Sequence, residues 1–470
     1  MTTVLTPTST IDAVDAPPSL DHTTPLGSAE SSRAANRRTR RRRNLESLAM
    51  FTLMIMGVVL IAVASDGHGS VYGFAAIGVL ALKLLGSSLY RPRSAAIPEG
   101  LTAAVVVPTY NEDPIAFRAC LDSVLEQTHP ADEIWVIDDG SATDDCLDIA
   151  HDLLAGRAGA FVHKLPANAG KRYAQGYAFA RTTADIIVTV DSDTVLDRAA
   201  IAEGLRGFAD PGVQAVTANV RALNQRKNLL TRLIDLRYAN AFLFERAAYS
   251  TLGSVVCCCG SLSFFRTETV QAHLDDFLNQ TFLGIPVQYG DDRRMTQYAL
   301  ARGKVLVQDT CVAYTAVPER MGHFARQQLR WNKSFFRESL WAVRRFGVRH
   351  PAFWISLAEV LTWFAFSSSL LYLLYLRPAL GGPILPWYYV AYAAVLAYAR
   401  NVRYFGRPNM SATSQWITFA LAPLYAALHV VLLTPLRLWA LLTLRQRGWG
   451  TRSGVEVAID ATTARELASS

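Results

Sequence analysis

Long apolar runs sit at the two ends of this chain and are missing from its middle, and this placement limits the fold more than any other feature. "LAMFTLMIMGVVLIAVAS" (48–65) and "VYGFAAIGVLALKLLGSSLY" (71–90) come first. After Phe346 follow Phe353–Leu376, Ala379–Ala399 and Thr413–Leu436, the last continuing past Arg437. A helix needs about 20 apolar residues to cross a hydrocarbon core of about 30 Å. With 51% hydrophobic and 18% charged residues, the chain is expected to be a membrane protein carrying one sizeable polar domain. That domain, roughly 101 to 346, is long enough to bury a full α/β core.

Charge orients these runs. The formal net charge is +7, and "RAANRRTRRRRN" (33–44) holds seven arginines directly before the first span. Such a run can bind nucleic acid. Abutting a span, it more often marks the cytosolic side and touches anionic lipid, at about 1 kcal/mol per residue. Two spans then return Arg91 and Arg93 to the same side, which makes the polar domain cytosolic. Lys83, near the end of the second span, can snorkel. Residues 1–44 read as a disordered basic arm, rich in Thr, Ser, Pro and Ala before its arginines. No cleavable signal peptide is expected, since the first apolar run starts far from the N-terminus. Six cysteines, with Cys257, Cys258 and Cys259 consecutive, match neither a disulfide framework nor a zinc site and suit a reducing compartment.

The expected organisation is an arm (1–44), two spans (45–93), a cytosolic domain (101–318), interfacial amphipathic helices (319–346), a C-terminal membrane region (352–445) and a cytosolic tail (446–470). Three full C-terminal spans would strand the basic "RQRGWGTR" outside. A hairpin broken near Pro423 or Pro435 would remove that conflict.

Inside the polar domain, "AAVVVP" (103–108), "EIWVIDDG" (133–140), "DIIVTVDSD" (185–193) and "VQAVTANV" (213–220) are short β-branched runs. Helical stretches such as Ile115–Gln127 and Lys171–Ala180 alternate with them, which predicts an α/β, Rossmann-like fold with a parallel sheet covered on both faces. Such sheets bind ligands at the carboxyl ends of their strands, where "PTYNED", "DDGS" and "DSD" fall.

Each polar tip has an ordinary reading beside a chemical one. "PTYNED" can simply cap the next helix; with Asp138 and Asp139 beside it, the same edge can hold a uracil ring and its ribose. Asp191 and Asp193 can lie in a solvated turn, or converge on a hard cation, for which carboxylates and phosphate oxygens suit Mg²⁺ or Mn²⁺. Lys171 and Arg172 open a helix, where backbone N–H groups favour an anion such as a diphosphate. Asp291 and Asp292 suit a helix N-terminus, but Asp292 in a cleft could take a proton from an attacking hydroxyl. The histidines, including His323 and His429, read as structural.

With "PTYNED", "DDGS", "DSD", "GDD" and "QQLRW" in this order, the chain resembles the processive family-2 glycosyltransferases, the group of cellulose, chitin and hyaluronan synthases. The likeness runs from about Val105 to Arg452. It implies a GT-A domain on flanking spans, inverting transfer from UDP-sugars, and polymer leaving through the membrane region. "RWNKSFFRESL" and "WGTR" look most like hyaluronan synthases, whereas "GDDR" is shared with chitin-oligosaccharide synthases. The resemblance implies donor contacts at Thr109, Tyr110, Glu112, Asp139, Lys171, Arg172, Asp191, Gln327, Arg330, Trp449, Thr451 and Arg452. It implies acceptor contacts at Cys259, Gly260 and Trp331, metal at Asp193 and Asp191, and Asp292 as base. Gly260-Ser261 departs from the Gly-Pro expected in hyaluronan synthases, which leaves the second sugar open. The expected partners are UDP-sugars, a growing polysaccharide and an anionic bilayer, with no nucleic acid. The rivals are a chitin-type polymerase using UDP-GlcNAc alone and a non-catalytic nucleotide-binding scaffold.

Overall fold

The computed structural model describes residues 29–407 and 410–446. Its core is an eight-stranded sheet built from β1 (Ala103–Thr109), β2 (Glu133–Asp138), β3 (Ala160–Lys164), β4 (Ile186–Val190), β5 (Thr194–Leu196), β6 (Val213–Ala222), β7 (Leu262–Arg266) and, after a small hairpin of β8 (Thr281–Phe282) and β9 (Ile285–Pro286), β10 (Lys304–Thr315). The strand order is β3-β2-β1-β4-β7-β6-β10-β5. Neighbours β3, β2, β1 and β4 are parallel, as expected from their apolar runs. β7 corrects the all-parallel expectation: it runs antiparallel to both β4 and β6, and β5 is antiparallel to β10.

Because successive side chains point to opposite faces, Phe264 joins an apolar layer with Phe117 and Leu121 on one face of the sheet. Its neighbour Phe265 joins Trp135, Phe179 and Phe277 on the other. All seven residues of β1 are buried, which fits a strand covered on both faces.

Among the described residues, four helices are long and apolar enough to cross a membrane: Arg41–Ala64, Ser70–Leu89, Pro351–Ala379 and Ala412–Leu442. Two expectations change here. The first helix begins at Ala29, so positions 29–44 are helical and continuous with the span rather than a disordered arm. Positions 29–44 lack Gly and Pro and are rich in Ala and Arg, both good helix formers. The run that starts at Ala379 forms a helix only from Trp387 to Arg400, because "LGGPILP" precedes it. That helix still runs alongside the first two: Tyr388 packs on His68 at one end, while at the other Arg403 donates to Asn44 and the Val402 carbonyl accepts from Ser47. The stretch Ala412–Leu442 is helical with a turn at Leu421, two residues before Pro423, and a π-helical stretch at His429–Leu433. Pro423 and Pro435 each occupy the first turn of a helical segment, where a missing N–H costs little.

The helix Met321–Arg345 lies between these layers. Phe336 meets Trp363 of the apolar helix Pro351–Leu371 with ring centroids 4.7 Å apart, and Asn332 Oδ1 accepts from Arg437 Nε at 2.9 Å. Lys83 does not simply snorkel: its ammonium lies 3.2 Å from Glu245 Oε1.

Candidate active site

The parallel strands end at one edge, and the polar tips gather there. Thr109 and Asp138 are partners in the β1–β2 register, and both are buried. Asp138 Oδ1 accepts from Ser141 N at 2.6 Å, while its Oδ2 is buried without a hydrogen-bond partner. Asp139 accepts from the backbone N–H of Ala169 (2.9 Å) and Gly170 (2.8 Å), fixing the turn that opens the helix Lys171–Phe179. Burial, with the neighbouring Asp138 charge, raises its pKa against the lowering effect of those two N–H groups. Asn111, at φ 44°, ties the β1 and β2 tips: its N–H donates to Ser141 Oγ and its Oδ1 accepts from Ala142 N, each at 2.9 Å. Tyr110 is half-buried beside them.

At the end of β4, the residue between the two aspartates is also held, since Ser192 Oγ donates to Glu112 Oε2 at 2.7 Å. The Lys171 ammonium pairs with Asp191 and lies 3.7 Å from Asp291 Oδ2. Burial works to lower the Lys171 pKa, but the carboxylates of Asp191, Asp291 and Asp292 outweigh it and hold it above the ordinary value. Asp193 Oδ1 accepts from Thr315 Oγ1 at 3.3 Å and Thr194 Oγ1 at 3.4 Å. Gly260 closes against this pair: a Cβ there would sit 3.1 Å from Asp191 Oδ2 and 3.2 Å from Lys171 Nζ. Cys259 is half-buried next to it, its N–H donating to Thr217 Oγ1 at 3.1 Å.

Among the described residues, no three His, Cys, Asp or Glu side chains form a cluster able to hold an ion alone. Two strand-end carboxylates do fit the mode in which Mg²⁺ or Mn²⁺ takes one or two protein carboxylates and completes its shell with phosphate and water.

Asp292 lies on the first turn of the helix Asp291–Arg302 and is partly exposed, its Oδ1 accepting from Arg293 N at 2.7 Å. Burial and the Asp291 charge push its carboxyl up to about 6, against the pull of Arg293 and Lys171. A base in that range is ionised at neutral pH yet can still hold a proton. The crossing helix Met321–Arg345 reaches this point at Gly290, where a Cβ would meet Ser334 Oγ. Spacings of three, four and seven residues share one helix face, so Gln327, Arg330 and Trp331 lie on the face that carries Ser334. Trp331 is 46% exposed, free to offer its ring to a ligand, and Gln327 Oε1 is buried without a partner.

Arg172 is the expected residue that the fold does not bring to the cluster: its guanidinium donates to the Phe277 carbonyl at 2.9 Å and stacks on that ring. Trp449, Thr451 and Arg452 lie outside the described residues. The links made by Asn111 and by Glu112 to Ser192 leave little mark in the sequence; an Asn just after a β-branched run, a residue type that tolerates left-handed backbone, is the one available cue.

Comparison with known proteins agrees with this geometry. The model for "Glycosyl transferase family 2" matches residues 104–274. Hyaluronan synthase of Streptococcus pyogenes is 39% identical over 393 residues, covering 82% of this chain and 91% of that protein. An N-acetylglucosaminyltransferase of Rhizobium sp. (strain N33) is 34% identical over 357 residues, 74% of this chain and 76% of its own. Among solved structures, the mannosyltransferase PcManGT of Pyrobaculum calidifontis, in complex with GDP-Man and Mn²⁺, has the same fold at a TM-score of 0.52 and 20% identity. The match covers 86% of this chain and 98% of that one.

Proposed function

This chain belongs to glycosyltransferase family 2 with the streptococcal hyaluronan synthase, and from that premise we propose that it polymerises UDP-GlcNAc and UDP-GlcA into hyaluronan and passes the polymer through its own membrane region. The observation that carries the reading is the 39% identity over a match that covers 91% of that synthase and 82% of this chain. A second observation favours a polyanionic product. Beside the spans, Glu245 faces three cations, Lys83 (3.2 Å), Arg237 (3.3 Å) and Arg400 (2.7 Å); with Glu359 also acting on Arg237, three cations against two carboxylates leave a local excess of positive charge that suits glucuronate better than a neutral chain.

In this reading, the tips of β1 and β2 receive the nucleoside and Lys171 and Arg330 neutralise the diphosphate. Asp292 removes the proton of the acceptor hydroxyl as its oxygen attacks the anomeric carbon of the donor, while the sugar rests on Trp331. A Mg²⁺ or Mn²⁺ ion held by Asp193 and Asp191 would supply further charge stabilisation to the leaving UDP. Charge grows on that leaving group, so preorganised cations there stabilise the transition state. Arg330, Lys333 and Arg452 are the candidates for the glucuronate carboxylate. Lys333 is buried, and burial together with Arg337 lowers its pKa. The polar domain, the arginine-rich stretch and the tail face the cytosol, with anionic lipid against the arginines.

The test gives purified full-length protein each labelled donor singly and then both, following high-molecular-weight product. Polymer that requires both donors and is cut by hyaluronidase is the expected result. Hyaluronidase-resistant, chitinase-sensitive polymer from UDP-GlcNAc alone would favour the chitin reading, to which "GDDR" and the Rhizobium relative point.

A further inference from the structure

The helix that carries Asp292 and the helix that carries Arg330 and Trp331 are joined by a charge pair that the chemistry above does not use. Glu338 is fully buried and Arg294 is 6% exposed; Arg294 Nε lies 2.8 Å from Glu338 Oε2. Glu338 Oε1 also accepts from Gln280 Nε2 at 2.8 Å, and the Arg294 guanidinium stacks on Trp341 at 4.8 Å. A second arm lies one residue away, where Arg337 donates to the Tyr289 carbonyl at 2.8 Å and stacks on the Tyr289 ring at 4.6 Å. Residues on both sides of "GDD" are therefore gripped by consecutive residues of the crossing helix. Arg294 is two residues beyond Asp292, and Glu338 is two turns beyond Trp331.

A fully desolvated ion pair is a poor source of stability, since apolar residues of similar volume often do as well or better in its place. Its geometry is exacting, however. Two buried charges must meet, or each is left uncompensated, so the pair permits one register of the two helices where an apolar contact would permit several. We propose that Arg294 and Glu338 are positioning residues for glycosyl transfer, fixing the Asp292 carboxylate relative to Arg330 and Trp331 so that base, acceptor and leaving diphosphate are aligned. The inference rests on the polymerase reading above. Neither residue touches substrate. Misplacement by about 1 Å far from the chemistry can cost about 10²-fold in rate. Water, which needs no such alignment, then competes better as acceptor.

The experiment uses the full-length protein and compares wild type, Glu338→Gln and the apolar double variant Arg294→Met/Glu338→Leu, with chromatographic monodispersity and thermal midpoint as folding controls. Three quantities are read: UDP affinity, polymer formed per UDP released, and free monosaccharide per UDP released. The expected result is UDP affinity within about two-fold of wild type, transfer lower by about 10²-fold, and a larger share of donor hydrolysed. The double variant should keep the wild-type thermal midpoint while still failing to transfer. Wild-type transfer in the double variant would overturn the proposal, as would equal losses of UDP affinity and turnover in Glu338→Gln. Absence of polymer from wild type itself would instead refute the polymerase reading.

Discussion

Gly290 and Ser334 meet where two helices cross: at φ 90°, Gly290 caps the helix Asp291–Arg302, and a Cβ on it would come 2.3 Å from Ser334 Oγ and 2.9 Å from Ser334 Cβ. Gly290→Ala therefore meets two separate penalties. A left-handed conformation costs a residue with a Cβ about 1–2 kcal/mol, and the contact adds a steric cost. The variant should lower the thermal midpoint and reduce turnover. Adding Ser334→Ala removes the hydroxyl but leaves its Cβ at 2.9 Å, so it should return only part of the steric cost, and full recovery of the midpoint in that double variant would show that the backbone conformation carries no strain.

Asp292→Asn keeps shape and removes basicity. Turnover should fall by about 10²–10⁴-fold with UDP affinity nearly unchanged; parallel loss of both would make Asp292 structural. The pH dependence follows from its raised pKa. In wild type, turnover at saturating donor should climb as pH rises to about 6 and level off above it. Stability runs the other way: a carboxyl that ionises later in the folded chain than in the unfolded one loses stability as pH rises through that interval. The Asn variant should thus match wild type in thermal midpoint near pH 4 and exceed it above pH 7.

Asp193→Ala should abolish turnover and weaken UDP-sugar binding in the presence of Mg²⁺ or Mn²⁺, and chelation should do the same to wild type. Undiminished turnover in EDTA would remove the metal from the mechanism.

The path of the helix Trp387–Arg400 gives a topological expectation. All six native cysteines lie between positions 120 and 311, within the polar domain, so an impermeant thiol reagent on intact cells should see only introduced sites. His68→Cys and Pro383→Cys should both be labelled and Arg91→Cys should not. Labelling at position 91 would invert the assignment.

What could be read from the sequence was local. "VVVPTYNED", "VIDDGS" and "VTVDSD" each show an apolar run ending in acids, and this reveals both the strand and its functional tip. Strand direction leaves no such mark: "LSFFR" looks the same whichever way it runs, so the reversal of β7 became visible only through its pairing. Arg172 follows Lys171 in sequence, but adjacent helix positions diverge by about 100°, so Lys171 pairs with Asp191 while Arg172 bonds the Phe277 carbonyl. Glu338 gave no signal at all, being one acid in a basic segment whose partner is 44 positions earlier.

The reversal of β7 also bears on how such an enzyme can change. An antiparallel strand in the middle of parallel ones enters the sheet at the very edge where its neighbours leave it. Its lead-in, Cys257 to Ser261, therefore reaches the tip of β4 without belonging to any parallel strand, and Gly260 closes there against Asp191 and Lys171. In the proposed function, recognition of the growing end and recognition of the activated sugar then sit on separate stretches of chain that converge at Gly260. Drift in one stretch can retune which chain end is accepted while the other keeps its grip on UDP, a division of labour that lets one scaffold diversify its products without rebuilding its engine.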